Sequence, residues 1–360
     1  MRPPHPEMLD ALLLLISVVL AAATALPLVR HDRWWVRVFD FPRLQIAAAG
    51  VVVLLALAWR PSDGGVFWGA LVLTLATMLV QLGYVLPYTR LWRKETKDAE
   101  GGHPTITLVM ANVLMTNRCS EPLVAFIREK RPDIIVLDEP DAWWEQALRG
   151  LERDFPHTMK EPRENTYGML LYSRLPFVQH ERRYMVEAEV PSFHIGVRVG
   201  GHEVRLHFVH PKPPYPREAR STAGRDAELV LVGKLAAAES SPTIVAGDLN
   251  DVAWSHTTRL FQRISRTLDP RRGRGNFNTF HAHWWFMRWP LDHLFHSEHF
   301  RLARMERGPS FGSDHFPILV ELELDPAARH EQEPPERSDS DEREAGEKEQ
   351  LAAAKPDPDA

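Results

Sequence analysis

The sequence predicts an α/β (α+β) domain, with two mixed β-sheets covered by helices, carried behind transmembrane helices. Three observations predict it. From Thr105 to Leu324, short apolar strand-like runs alternate with amphipathic helical stretches. Before them the chain opens with three long apolar runs. After them it turns acidic and loses its large apolar residues. The 360 residues therefore divide into a membrane anchor at 1–94, a linker at 95–103, a globular domain at 104–324 and a tail at 325–360.

In the anchor, Ala11–Val29 is an uncharged run of 19 residues, and Val66–Tyr88 is a run of 23 with Gln81 as its only strongly polar residue. A membrane span needs about 20 predominantly apolar residues, so both qualify. Leu44–Trp59 is shorter, contains Gln45 and Gly50, and is marginal. Two other readings compete: a buried helical hairpin in a soluble protein, and a cleaved signal peptide over Ala11–Ala25. Uncharged runs this long are rare in soluble cores. Arg2 is offset by Glu7 and Asp10, a weak start for a signal peptide. Arg30, Arg33, Arg37 and Arg43 follow the first run, and Arg90, Arg93, Lys94 and Lys97 follow the third. The opposite side has only Arg2 and Arg60. Three spans place both basic segments on one side, which the positive-inside rule makes the cytoplasm. The expectation is a multi-pass protein of a bacterial inner or plasma membrane, held in lipid by its N-terminal helices, with the globular domain in the cytoplasm. No obligate protein partner is indicated.

Glu95–His103 is polar, contains glycine and reads as a linker. Ile106–Val113 reads as a strand. Glu121–Lys130 reads as a helix with Leu123, Phe126 and Ile127 on one face. Arg131-Pro132-Asp133 stops it, and Ile134–Leu137 is a short buried strand. A helix over Asp141–Leu148 follows, then strands over Met169–Tyr172, His194–Val199 and Val204–Val209. Arg217–Ala238 is a long helix, Thr243–Ala246 a buried strand and Ser255–Ile264 a helix. Leu291–Phe295, Phe300–Met305 and Phe316–Leu324 close the domain as strands. From Asp325 on, 12 Asp and Glu stand against 5 Lys and Arg with almost no core-forming residues, so the tail should be disordered. The whole chain carries −5, so the part before the tail is near neutral and any attraction to polyanions must be local. The single cysteine, Cys119, excludes an intrachain disulfide and a cysteine-based zinc site.

Polar residues recur at the ends of the apolar strands. Asn112 closes the first. Glu139 follows Ile-Val-Leu-Asp, His210 follows Leu-His-Phe-Val, and Asp248 and Asn250 follow Ile-Val-Ala-Gly. Asp292 sits within Pro-Leu-Asp-His-Leu-Phe, and Asp314 and His315 precede Phe-Pro-Ile-Leu-Val. One such residue is usually a turn or cap. Six strand ends of this kind point to a shared cleft on a rigid scaffold. The chemistry they suit is hydrolysis of a phosphate ester. A hard cation such as Mg²⁺ or Mn²⁺ takes carboxylate oxygens and polarises the phosphoryl group or its attacking water. An Asp–His pair orients and charges an imidazole, and a second histidine can donate to developing phosphoryl charge.

These residues resemble the endonuclease/exonuclease/phosphatase superfamily, which includes pancreatic deoxyribonuclease, apurinic endonucleases, neutral sphingomyelinases and inositol-polyphosphate phosphatases. The resemblance runs over Thr105–Glu323. It rests on Met-Ala-Asn112-Val, Ile-Ile-Val-Leu-Asp-Glu139, Gly168-Met-Leu-Leu-Tyr-Ser-Arg174, Val-His210-Pro, Gly247-Asp248-Leu-Asn250, Leu-Asp292-His and Gly312-Ser313-Asp314-His315. It implies a four-layer sandwich with the two sheets facing and helices outside, in a membrane-anchored member of bacterial type. It implies Glu139 as principal metal ligand, with Asn112 and Asp314 beside it. Asp248 would orient or deprotonate water, and Asn250 would hold a phosphate oxygen. His315 would act on the phosphate or as acid/base, held by Asp292, and His210 would be the second catalytic histidine. Asp138 departs from the family, where many relatives have Gln. By order along the chain, Glu187 and Glu189 are candidates to orient His210.

Two further features bear on substrate. Arg271, Arg272 and Arg274 form a basic loop, either a solvated turn or a phosphate clamp. The run from His283 to Trp289, with Trp285 at its centre, is core packing, a platform for stacking bases or a wedge in the lipid interface. The function expected is that of a membrane-anchored, Mg²⁺- or Mn²⁺-dependent phosphoesterase that hydrolyses phosphodiester bonds as nucleases do. The alternative substrate is a phospholipid, sphingomyelin or inositol phosphate, so the partner is nucleic acid or a lipid headgroup. A non-catalytic binding module on the same fold is the third reading.

Overall fold

The computed structural model describes residues 6–29, 31–59, 61–62, 64–213 and 221–354. The N-terminal apolar runs form α1 (Pro6–Ala25), a short α2 (Trp34–Arg37), α3 (Arg43–Trp59) and α4 (Gly65–Val85). The three long helices pack through Leu13, Val53, Leu57, Phe67 and Ala70. Their polar residues are satisfied between helices: Ser17 and Thr74 hydroxyls lie 2.8 Å apart, and Gln81 Nε2 donates to Thr24 Oγ1 at 2.7 Å. Glu7–Leu28 and Gly65–Tyr88 are each long and apolar enough to cross a membrane. The middle run reaches that length only if Trp34–Asp40 and Arg43–Trp59 are joined across a 65° bend. Arg2, Arg30 and Arg60 lie outside the described residues. Two of the flanking arginines do not face lipid headgroups. Arg37 and Arg43 are buried and pair with Asp40 at 2.8 and 3.3 Å.

In the globular part, alternation along each strand sorts side chains between two faces. One six-stranded sheet has the order β10-β11-β1-β2-β4-β3, with β1 at Thr105–Asn112, β2 at Ile134–Asp138, β3 at His157–Glu161, β4 at Met169–Ser173, β10 at Phe300–Arg307 and β11 at Ile318–Leu324. A five-stranded sheet runs β5 (Phe177–Arg183), β6 (Ser192–Val199), β7 (His202–Phe208), β8 (Thr243–Asp248) and β9 (Asp292–His296) in order. Leu108 and Met110 of β1 face Phe208, Ile244 and Leu294 between the sheets. Val109 and Ala111 face outward, against α5 (Glu121–Lys130) and α6 (Ala142–Leu148). Val245 and Phe295 meet α7 (Ala223–Ala238) and α8 (His256–Ser265) on the far side. The layers are therefore helix, sheet, sheet, helix, as the sequence predicts. α6 and α8 start where Asp141 and Ser255 accept the amides of Trp144 and Thr258. The predicted helix from Arg217 is described from Ala223, and Arg217 lies outside the described residues. β3 and β5 were not expected. Both are edge strands of mostly polar residues, half-buried in β3 and exposed in β5, so they carry no apolar alternation to read.

Three expectations are corrected. The segment at 95–103 is not a free linker. Glu95 accepts from Gln262 and from the Asp269 amide, each at 2.8 Å, and Thr96 bonds His296 at 2.8 Å. The basic loop is not a phosphate clamp. Arg271 is fully buried, 2.8 Å from Asp269 and 2.7 Å from His293 Nδ1. Arg272 pairs with Glu95 at 2.9 Å and Arg274 with Asp98 at 2.6 Å. The loop and the segment neutralise one another, a long-range complementarity that neither stretch shows alone.

The tail is not disordered over its described part. α9 (Asp339–Ala354) lies on α7 and α8. Ala345 is buried with Val230, Leu260 and Ile264. Lys348 pairs with Asp226, Glu349 with Lys234, Glu344 with His256 and Asp341 with Arg263, at 2.6–2.9 Å. Counting apolar residues misses this because the helix is rich in Ala and Glu and docks by charge. Burial raises the Asp341 carboxyl, but bonds from Arg263 and Ser338 outweigh it and hold it at about 2, against an ordinary 3.8. Burial likewise raises Asp226, and Lys348 with Arg225 pulls it well below the usual range.

Removing residues 339–354 should lower the melting temperature in detergent by roughly 3–10 °C, as expected for about 1–3 kcal/mol in a domain of this size. Both carboxyls are depressed in the fold, so docking adds stability above their ordinary pKa and loses it as pH falls through the folded values. The gap between full and shortened chains should close between about pH 4 and pH 2. An equal melting temperature at neutral pH would show that α9 does not dock. Arg271→Ala should cost about 3–5 kcal/mol, because it leaves a buried carboxylate unpaired. An unchanged melting temperature with a raised KM would instead restore the clamp.

Candidate active site

The register of two strand pairs aligns the polar residues. β1 and β2 run parallel with Asn112 opposite Asp138, and β8 and β9 run antiparallel with Asp248 opposite Asp292. The sheets meet here: the Asp248 amide donates to Asp138 Oδ2 at 3.2 Å. Gly247, beside Asp248, lets the chain leaving β7 pass close to it. It has φ +142°, and a Cβ there would strike the Val209 carbonyl. Glu139 and Asn250 leave their strands at φ +63° and +50°. Those sharp turns end the ladders at the site.

Asn112 bridges the sheets. Its Nδ2 donates to Glu139 Oε1 at 2.7 Å and to Asp248 Oδ2 at 3.1 Å. Its backbone carbonyl accepts from Ser313 Oγ at 2.8 Å, and the same hydroxyl accepts the His315 amide at 3.0 Å. That fixes the loop carrying Asp314 and His315. His315 Nδ1 is 2.8 Å from Asp292 Oδ2, while its Nε2 lies 3.6 Å from Asp248 Oδ2. Burial lowers the His315 pKa, but Asp292 and then Asp248 outweigh it and push it up to about 10. The ring therefore stands as an imidazolium. His210 is buried beside Tyr167, its Nε2 4.0 Å from Asp248 Oδ2, with neither ring nitrogen hydrogen-bonded. Burial, then the His315 charge, lowers it to about 4, so it is neutral.

Burial raises Asp138 well above the usual range, helped by Asp248 and Asp292. Burial raises Glu139 to about 7 against the opposing Asn112 bond, and Asp248 to about 6 against the His315 charge. Asp138 Oδ1 and Asp292 Oδ1 are buried without a hydrogen-bond partner. Crowded, desolvated carboxylates with unpartnered oxygens fit an oxygen-seeking dication. Asp248, Asp292 and His315 offer atoms within 4.8 Å of one another. His315 Nδ1 is already bonded to Asp292, so this trio suits proton transfer. Glu139, with Asn112 and nearby Asp314, suits the ion better.

The structure thus brings together Asn112, Glu139, His210, Asp248, Asn250, Asp292, Asp314 and His315. One Asn250 amide hydrogen goes to the Pro211 carbonyl at 3.0 Å, which leaves the other. Trp285 stands apart, 80% exposed. Glu187 and Glu189 do not orient His210, whose nitrogens are unpartnered; Glu189 accepts from Asn165 at 3.0 Å. Sequence reasoning missed Arg225, buried on α7, which bonds the Asn250 carbonyl at 2.8 Å and Asp251 at 3.3 Å. A charged residue on the inward face of a long helix is its one sequence signal. It also missed Phe280, whose ring lies 5.0 Å from that of His315.

Among solved structures, the catalytic domain of human Nocturnin with bound sulfate superposes with TM-score 0.50 and 15% identity, over 64% of this chain and 97% of that one. An endonuclease/exonuclease/phosphatase from Beutenbergia cavernae gives 0.49 and 19%, over 62% and 72%. D. rerio TDP2 complexed with single strand DNA product gives 0.49 and 14%, over 61% and 99%. Identities this low speak to the fold alone. No individual curated sequence matches the chain. The sequence profile of the Endonuclease/Exonuclease/phosphatase family matches residues 111–315, more than half of the chain and a span that begins beside Asn112 and ends on His315. The chain belongs to that family.

Proposed function

We propose that this chain is a membrane-anchored phosphoesterase that cleaves phosphodiester bonds with water and needs a divalent cation, Mg²⁺ or Mn²⁺. The observation that carries the reading is the Asp292–His315 pair, 2.8 Å apart and facing Asp248 across 3.6 Å, beside the Asn112–Glu139 bond. Glu139, Asn112 and Asp314 would hold the ion, which when bound neutralises phosphoryl charge and acidifies water. Asp248 orients the attacking water and takes its proton. His315, held by Asp292, carries a proton at Nε2 toward the phosphate. The free Asn250 amide hydrogen and His210 donate to phosphoryl oxygens. A binding module would have no use for so costly a cluster of buried carboxylates, which supports catalysis over that reading.

The N-terminal helices would hold the enzyme in a bacterial inner or plasma membrane. The ends of α1, α3 and α4 that adjoin residues 31–42 and 86–98 all contact the globular domain. Thr222 donates to the Asp32 carbonyl, Trp254 to the Asp40 carbonyl, and Gly273 to the Pro87 carbonyl. That supports one side for both basic segments, and the exposed Arg33, Arg90 and Arg93 favour the cytoplasm.

EDTA should abolish hydrolysis of a generic diester and Mg²⁺ or Mn²⁺ should restore it; full activity in EDTA would sink the metal assignment. His315→Ala should cut single-turnover rate by roughly a hundredfold or more, and Asp292→Asn somewhat less. The double variant should be little slower than His315→Ala, because the two act as one unit. Additive losses would break the pair. Glu139→Gln should regain part of its rate at raised metal concentration. A reporter fused after Ala354 should be active as a cytoplasmic fusion and silent as a periplasmic one; the reverse would invert the topology.

A further inference from the structure

Trp284, Trp285, Phe286 and Met287 are 53%, 80%, 47% and 42% exposed, a charge-free apolar tip on the loop that leads into β9. Single exposed apolar residues are ordinary, but four in a row mark a contact surface. The tip is tied to the anchor. Gln45, the third residue of α3, donates its Nε2 to the Phe286 carbonyl at 2.8 Å. At 1.5 Å per residue, Gln45 lies within about 3 Å of the start of that helix. Val52 and Leu55, further along, are 65% exposed on its lipid side.

A chain of rings joins this level to the catalytic histidine. Phe41, two residues before α3, meets Trp289 edge-on at 5.6 Å. Trp289 stacks on Phe280 at 6.1 Å, and Phe280 meets His315 at 5.0 Å. The other catalytic loop is bound to the same helix ends. Tyr88, just past α4, donates its hydroxyl to the Ala253 carbonyl at 2.7 Å. The two loops that carry Asn250 and lead to Asp292 therefore rest on the helix ends where the anchor leaves the bilayer.

We propose that Trp284–Met287 enters the interfacial layer of the bilayer that holds the anchor, and that the substrate is the phosphate ester of a lipid headgroup in that layer. The substrate half rests on the phosphoesterase reading. Tryptophan is favoured at the headgroup level, where its ring is half wet. Arg288 and Arg307 lie over the ring of Phe316, at 5.0 and 4.2 Å, next to His315 in the chain, and supply positive charge for an anionic headgroup. A single-strand nucleic acid would need a basic groove along its backbone. The arginines of the 271–274 loop are instead paired with acids.

The test uses the full chain in vesicles of phosphatidylethanolamine, phosphatidylglycerol and phosphatidylinositol, with Mg²⁺ or Mn²⁺. Its other arms are the water-soluble deacylated headgroup esters, single-strand DNA and bis(4-nitrophenyl) phosphate. Vesicle lipid should be cleaved at least tenfold faster than its deacylated ester. Replacing Trp285 and Phe286 together by serine should lower that ratio tenfold or more. A fluorophore on Trp285→Cys, in a Cys119→Ser background, should be quenched by nitroxide lipids; Met287→Cys gives a second position if the first fails to fold. Faster cleavage of DNA or of the deacylated esters, with vesicle lipid spared, overturns the proposal and leaves the phosphoesterase reading intact. Loss of every activity, the nitrophenyl ester included, sinks the phosphoesterase reading and the lipid substrate with it. An unquenched label at both positions overturns the insertion.

Discussion

The structure turns on one crowded point, where the ends of two sheets bring the buried Asp138, Asp248 and Asp292 together beside the half-buried Glu139. Carboxylates brought this close in a largely buried site need compensating charge. The chain offers one imidazolium at His315, the Asn112 amide and the backbone amides of Asp248 and Asn250. That compensation is partial, since Asp138, Glu139 and Asp248 are all pushed upward. A resident cation is the simplest completion.

Such a cluster destabilises the fold that holds it, so the scaffold has to be stiff elsewhere. Three of the four carboxylates are fixed by strand register, with Asn112 opposite Asp138 and Asp248 opposite Asp292. The core between the sheets, from Leu108 and Met110 to Phe208 and Ile244, offsets the strain of bringing those registers together. Helices outside add a second apolar layer to each sheet. A site drawn from both sheets can hold sub-ångström geometry only if neither sheet slides, and interdigitated side chains on both faces prevent sliding.

Most of this was legible in the sequence because the informative residues sit where apolar strands stop. Asn112, Glu139, Asp248 and His315 stand out against the buried runs beside them. What escaped was set by distant partners. Arg271 reads as basic and exposed until Asp269 and His293 are seen to enclose it. α9 reads as disorder until Lys348 meets Asp226 and Ala345 meets Ile264. β3 and β5 escaped for another reason: an edge strand buries little, so its sequence need not alternate. Arg225 shows the limit most clearly. Its bond to the Asn250 carbonyl shapes the catalytic loop, yet nothing within its own helix reveals that the loop is its neighbour.

The N-terminal helices are a further case of long-range dependence, and it changes what they are. Read along the chain, α1 to α4 are a tether with a linker behind them. In space, Phe41, Tyr84 and Tyr88 pack with Trp254, Trp289 and Leu291, the residues that flank Asn250 and Asp292. Trp254 and Tyr88 each satisfy a polar group across that boundary. Without these helices, three large apolar side chains would face water, and their loops would lose the surface that sets their conformation. The helices therefore form one wall beside the active site. Whatever fixes the orientation of these helices also fixes the direction in which the site opens.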